Sequence, residues 1–117
     1  MELSHLHVGF KDFAGASDWF AQVAGNAPRF RNDRLAYHEF GGVIVVLEQA
    51  GEDTPVTLAF KSEDVDVEFA ALAAKGAAVL QAPVDQKWGV RSAYLRGPGA
   101  VTVELEQPVV KAVEEKP

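Results

Sequence analysis

Two histidines, His5 and His7, occupy alternate positions of "HLHVGF", a stretch with the period-two pattern of a strand. Side chains two apart on a strand share one face. The pair can therefore titrate near neutral pH and bind an anionic or hydroxylated ligand, or offer imidazole nitrogen to a metal ion. As ordinary residues they would be hydrogen-bonded side chains lining a solvent-filled groove. Glu104 and Glu106 repeat the spacing near the other end of the chain, in "VTVELEQ", with Thr102 on the same face. A carboxylate in a partly apolar groove has its pKa raised by desolvation, which suits a general base; the same carboxylate can instead be a structural partner of His5, Arg91 or Arg96. The third group is "KWGVR", residues 87 to 91. Trp88 beside Gly89 can set an indole over a ligand while the glycine lets the backbone approach, or it can seal a loop or a dimer contact. Arg91 carries a planar fork suited to carboxylate or phosphate, but "VRSAYLR" alternates too poorly to say which face it occupies.

These groups need strands to hold them, and the strand patterns come in two copies. "HLHVGFKDF" from His5 and "TLAFKSEDV" from Thr57 align so that Asp12 and Asp64 each fall seven residues after their start. Leu6, Val8 and Phe10 alternate with polar or small residues in the first copy, and Val56, Leu58 and Phe60 do so in the second. Asp12 and Asp64 are N-cap residues for helices of about three turns, which end near Gly25 and Gly76. Each helix is followed by three strands: "PRFRND", "RLAYHEF" and "VIVVLEQ", then "AAVLQ", "VRSAYLR" and "VTVELEQ". Gly41-Gly42 reads as a two-residue hairpin turn. That turn sets Tyr37 and Glu39 opposite Val46 and Ile44, facing a groove, and turns His38 opposite Val45, toward the helix. Glu48 shares the face of Val46.

The chain thus reads as an α+β protein of two βαβββ modules, residues 1–50 and 55–107, joined by "AGEDTP" and followed by a loosely docked or frayed tail, 108–117. With 117 residues and 48% apolar composition it fits one domain with a real core. No apolar run approaches a membrane span and no basic-plus-apolar leader opens the sequence, so the expected compartment is the cytoplasm. The absence of cysteine excludes disulfides, thiolate metal sites and a cysteine nucleophile. A net charge of −6 disfavours nucleic acid and acidic lipid surfaces, leaving a small molecule or another protein as partner. There is no phosphate-cradling glycine loop and no nucleophile elbow.

The two βαβββ copies, with "DFAGASDWFAQVAG", "AFKSEDVDVEFAALAAKGA" and "WGVRSAYLRGPGAVTVEL" in corresponding places, resemble the vicinal oxygen chelate superfamily. This superfamily contains glyoxalase I, bleomycin-resistance proteins, fosfomycin-resistance enzymes and extradiol dioxygenases. The resemblance spans residues 3 to 107 and implies a curved mixed sheet with a concave groove, commonly completed by a homodimer. In the metalloenzymes of the family the first and last strand of each module supply one metal ligand apiece. The matching positions here are His5, Val46, Thr57 and Glu104. His5 and Glu104 are donors of the expected kind, whereas Val46 is a hydrocarbon and Thr57 only a hydroxyl. Two protein ligands fall short of the three or more that a hydrated catalytic ion takes. His7 and Glu48 lie two residues further along, about 6.6 Å, so they replace the missing donors only if the whole site shifts.

Two function classes follow, beside a third in which the chain is a structural or regulatory domain that dimerises and binds nothing small. The first is a metal-free, cofactor-free small-molecule binder like the bleomycin-resistance factors, holding its ligand through His5, His7, Tyr37, Glu48, Thr57, Trp88, Arg91 and Glu104. The alternative is a lyase, isomerase or dioxygenase of the glyoxalase type with a degenerate site. That enzyme would use His5 and Glu104 on Zn, Ni, Mn or Fe.

Overall fold

A computed structural model describes residues 1–109 of the chain. Its elements run β1 (His5–Phe10), α1 (Phe13–Gln22), β2 (Phe30–Arg31), β3 (Leu35–Phe40), β4 (Val43–Gln49), β5 (Val56–Lys61), α2 (Val65–Ala74), β6 (Ala78–Asp85), β7 (Val90–Arg96) and β8 (Val101–Pro108). The order is βαβββ twice. Each module builds its own four-stranded mixed sheet, β1-β4-β3-β2 and β5-β8-β7-β6, in which the parallel pair is the first strand with the last. The two sheets are not hydrogen-bonded into one; β1 and β5 are both edge strands.

Local chemistry accounts for the helices and turns. The Asp12 carboxylate accepts the Gly15 N–H at 2.9 Å and the Asp64 carboxylate accepts the Val67 N–H at 3.1 Å, so each caps an orphan donor of the first turn. Gly41 and Gly42 have φ of 55° and 93°, the paired positive values that a tight two-residue hairpin demands. β2 is only two residues long because Asn32 diverts the chain. Its side-chain oxygen accepts the N–H groups of Arg34 and Leu35 at 2.8 and 2.9 Å, closing the β2–β3 turn early. β6 extends beyond "AAVLQ" to Asp85 and takes in Pro83, which an edge strand tolerates. Of the expected tail, Pro108 ends β8 and the Val109 N–H bonds the Gly89 carbonyl; the remainder lies outside the described residues.

Strand alternation sorts the side chains. Val8, Phe10, Val45 and Leu47 of the first sheet and Leu95, Val101, Val103 and Leu105 of the second are buried, and they join Phe13, Ala16, Phe20 and Val65 of the helices in one core. The modules meet through a few side chains. The Phe10 ring sits under Gly99, where an added Cβ would come within 2.8 Å of it. The Gly9 N–H bonds the Thr54 hydroxyl, and the Phe40 and Phe60 rings lie 5.0 Å apart. The chain measures 55 × 37 × 22 Å with a radius of gyration of 15.6 Å, wider than the roughly 13 Å of a compact domain of this length. The open faces of the two sheets are left uncovered. No helix among the described residues is long and apolar enough to cross a membrane.

Candidate functional site

The face of the first sheet turned away from α1 is set row by row by strand register. His7, Val46, Tyr37 and Phe30 form one row; His5, Ile44 and Glu39 form the next. Tyr37 and Phe30 are 39% and 49% exposed with ring centroids 5.6 Å apart, an aromatic ledge that the core does not need. His7 Nδ1 and the Glu48 carboxylate lie 2.9 Å apart, both side chains about half exposed. His5 Nδ1 pairs with the Ser4 hydroxyl at 2.7 Å, and the two imidazole centroids are 5.1 Å apart. Glu39 is ion-paired with Arg29. Gly9 continues the row of Glu48 and Leu35, but the chain between the modules covers it: a Cβ there would meet Ala50 at 2.8 Å.

The corresponding face of the second sheet carries Thr57 opposite Thr102 and Ala59 opposite Glu104, with Tyr94 on the far side of Glu104. The Tyr94 phenol is pushed above its ordinary value, first by desolvation and then by the charge and hydrogen bonding of Glu104. Tyr94 and Phe30 escaped the sequence reading. The register of the β7–β8 turn would have found Tyr94, and the Asn32 turn would have found Phe30.

Arg91 does not belong to this face. Its Nε and Nη2 donate to Asp66 at 2.9 Å each and its Nη1 donates to Asp85 at 3.0 Å, so it ties the first turn of α2 to β6 and β7 on the helix side. That bidentate bond is the main reason the Asp66 carboxyl is held below its usual range. Trp88 is 67% exposed in the turn between β6 and β7, beyond the Val90–Pro108 row. Strand rise puts that row about 13 Å from Glu104, so the indole is not brought to the carboxylate. His5, His7, Tyr37 and Glu48 are gathered on one sheet; Thr57 and Glu104 are gathered on the other.

The four positions that correspond to the metal ligands of the resembling enzymes do not fit an ion. Val46 is 4% exposed and lies directly opposite His7, with hydrocarbon where a donor belongs. Thr57 brings only a neutral hydroxyl, which leaves His5 and Glu104 as the two donors of the set. Among the described residues no cluster of three or more His, Asp or Glu side chains is disposed to hold a cation.

A third histidine is structural. His38 is fully buried against α1, opposite Val45 as its hairpin register requires. Nδ1 faces the Asn26 carbonyl at 3.0 Å and therefore carries the proton; Nε2 then accepts from the Ser17 hydroxyl at 2.8 Å. Desolvation lowers its pKa from the ordinary 6.5, so the folded state holds it neutral where the unfolded chain would protonate it. The stability contributed by this neutral histidine is complete above the unfolded value and is lost as pH falls through the folded one. Chemical unfolding at pH 7.5 and 5 should show this acid loss in the native chain and a smaller one in His38→Gln.

No protein-family model matches the chain, and no curated protein matches it. Solved structures do. A glyoxalase/bleomycin resistance protein/dioxygenase from Nocardioides superposes with a TM-score of 0.82 at 20% identity, covering 93% of this chain and 84% of that one. TioX from Micromonospora sp. ML1 gives 0.76 at 24% identity over 93% and 100% of the two chains. Lactoylglutathione lyase from Agrobacterium tumefaciens gives 0.78 at 17% over 91% and 92%. With two βαβββ modules in the same order across more than nine-tenths of its length, the chain has the fold of the vicinal oxygen chelate superfamily.

Proposed function

We propose that the protein is a metal-free binder that sequesters a small molecule on the open sheet faces, with two copies bringing the first module of one against the second module of the other. The observation that carries this reading is Val46, a hydrocarbon lying between His7 and Tyr37 at the centre of the face. Around it are the Phe30–Tyr37 ledge and the His7–Glu48 pair, which suit a flat, partly polar ligand better than an ion. Thr57 and Glu104 on the other face would complete the groove across the pair of chains. Exposed Val79, Leu80, Val84 and Trp88 on the second module add apolar surface that association can cover.

Thermal unfolding of EDTA-treated protein against a library of aromatic and heteroaromatic small molecules tests the reading. A true ligand at 100 times its dissociation constant stabilises the chain by about 2.7 kcal/mol. Tyr37→Ala should weaken that ligand by about 30-fold, the loss of one central aromatic anchor of about 2 kcal/mol. Turnover of any compound that appears only after Ni, Zn, Mn or Fe is added would instead establish the enzyme and overturn the proposal.

A further inference from the structure

The cleft between the modules is centred on the Phe40 and Phe60 rings, reaches Glu39, Thr57 and Ala59 at the rims of the open faces, and has the size and lining of a ligand site. One lobe, of about 670 Å³, is walled by Leu6, Val43, Val45 and Leu58. The other, of about 400 Å³, is walled by Trp19, Val23, Leu72 and Leu105. Both fall within the range of roughly 300–1,000 Å³ that small-molecule sites occupy. Asn26, Phe40, Phe60 and Lys61 border both lobes, and the Phe40–Phe60 ring pair, 57° apart in plane, forms the divide. Leu6, Trp19, Phe40, Leu58, Phe60 and Leu72 are continuous with the buried core yet only partly covered. Folding leaves their apolar surface facing this gap.

The polar groups at the divide specify what fills it. Asn26 is committed: its Nδ2 donates to the Glu39 carbonyl and its Oδ1 lies 3.1 Å from His38 Nδ1. Glu39 is held by Arg29. Arg29, Arg31 and Arg91 all have carboxylate partners, whereas among the described residues no carboxylate lies within 4.0 Å of the Lys61 or Lys75 ammonium. Lys61 borders both lobes, opposite Glu106 in the β5–β8 register, and Lys75 borders the second together with Glu68. We propose that this cleft is a second binding site, for an amphiphile with one apolar tail and a singly charged anionic head, such as a medium-chain carboxylate, whose head pairs with Lys61. The chain's net charge of −6 disfavours a polyanion more than a singly charged head, because long-range repulsion grows with the charge of the ligand.

The test is calorimetric titration of the full chain with sodium decanoate below its micelle concentration, beside decanol and decyltrimethylammonium. Saturable one-to-one binding of decanoate is expected, with the cationic analogue weaker by at least about tenfold. Lys61→Gln should weaken decanoate about tenfold, the size of one charge-assisted hydrogen bond at its lower limit, without changing thermal unfolding of the unliganded chain. Leu58→Trp, filling the larger lobe, should abolish binding; if that variant does not fold, Leu6→Phe reads the same wall. Tyr37→Ala should leave decanoate binding unchanged, which separates this site from the open face. The proposal falls if no saturable heat appears, if all three head groups bind alike before and after Lys61→Gln, or if Tyr37→Ala abolishes the binding. It also falls if sedimentation shows self-association that Leu58→Trp eliminates, since a second copy would then occupy the cleft.

Discussion

Phe10→Ala is expected to lower the unfolding free energy by about 3–5 kcal/mol, the usual cost of emptying a buried phenylalanine site. Phe10 is 1% exposed at the end of β1, where the first sheet, α1 and the second module converge. Its ring fills the space under Gly99, a residue of the β7–β8 turn with φ of 59°, and that turn cannot settle into the void without giving up its glycine conformation. The cavity therefore stays open, which puts the cost in the upper part of the range for large-to-small changes. Since natural domains unfold with only about 5–15 kcal/mol, one substitution removes a large share of the total. Denaturant titration should show the midpoint falling with little change in slope. Phe69→Ala on half-buried α2 supplies the comparison and should cost distinctly less.

The module plan was legible because its signals are local and repeated. Equal spacing from strand to capping aspartate, the glycine pair at 41–42 and the period-two stretches of β1, β5 and β8 all act through neighbours along the chain, so no tertiary information is needed to find them. The same holds for one face of the site. Once Gly41-Gly42 defines a two-residue turn, Tyr37, Glu39 and His38 have no freedom of register, and all three stand where the turn predicts. Arg91 was not legible, and the reason is physical. β7 is covered on both faces near its start, because Gln86 folds over the open side and bonds Ser92 at 2.9 Å; Ser92 and Ala93 are consequently both fully buried. Alternation vanishes where both faces are covered. What settled Arg91 was a pair of carboxylates on α2 and β6, 25 and 6 residues away in sequence, and no local pattern encodes such a partner. The separation of the sheets was equally hidden, since whether β1 bonds β5 depends on how the modules dock and not on either strand alone.

Val46→His is expected to convert the open face of the first module into a divalent-metal site within a single chain. The parallel register sets position 46 directly opposite His7, and directly opposed side chains on neighbouring strands have Cβ atoms about 5 Å apart. His5 stands one row along with its ring 5.1 Å from that of His7, and Glu48 already holds His7 through Nδ1, leaving Nε2 toward the face. The substitution adds a third imidazole to a pair whose second partner is oriented in the way that carboxylates orient histidine ligands. Outer partners alone change metal affinity by about 10–100-fold, so gaining a direct donor should tighten Zn or Ni by at least about 100-fold over the native chain. Competition with a chromophoric chelator at pH 7.5 measures this. The same variant should lose the small-molecule ligand of the native chain, because an imidazole rising between His7 and Tyr37 breaks the floor on which that ligand would lie. Tight metal binding by the native chain, equal to that of Val46→His, would mean that donors outside this face hold the ion and would overturn the proposal of a metal-free groove.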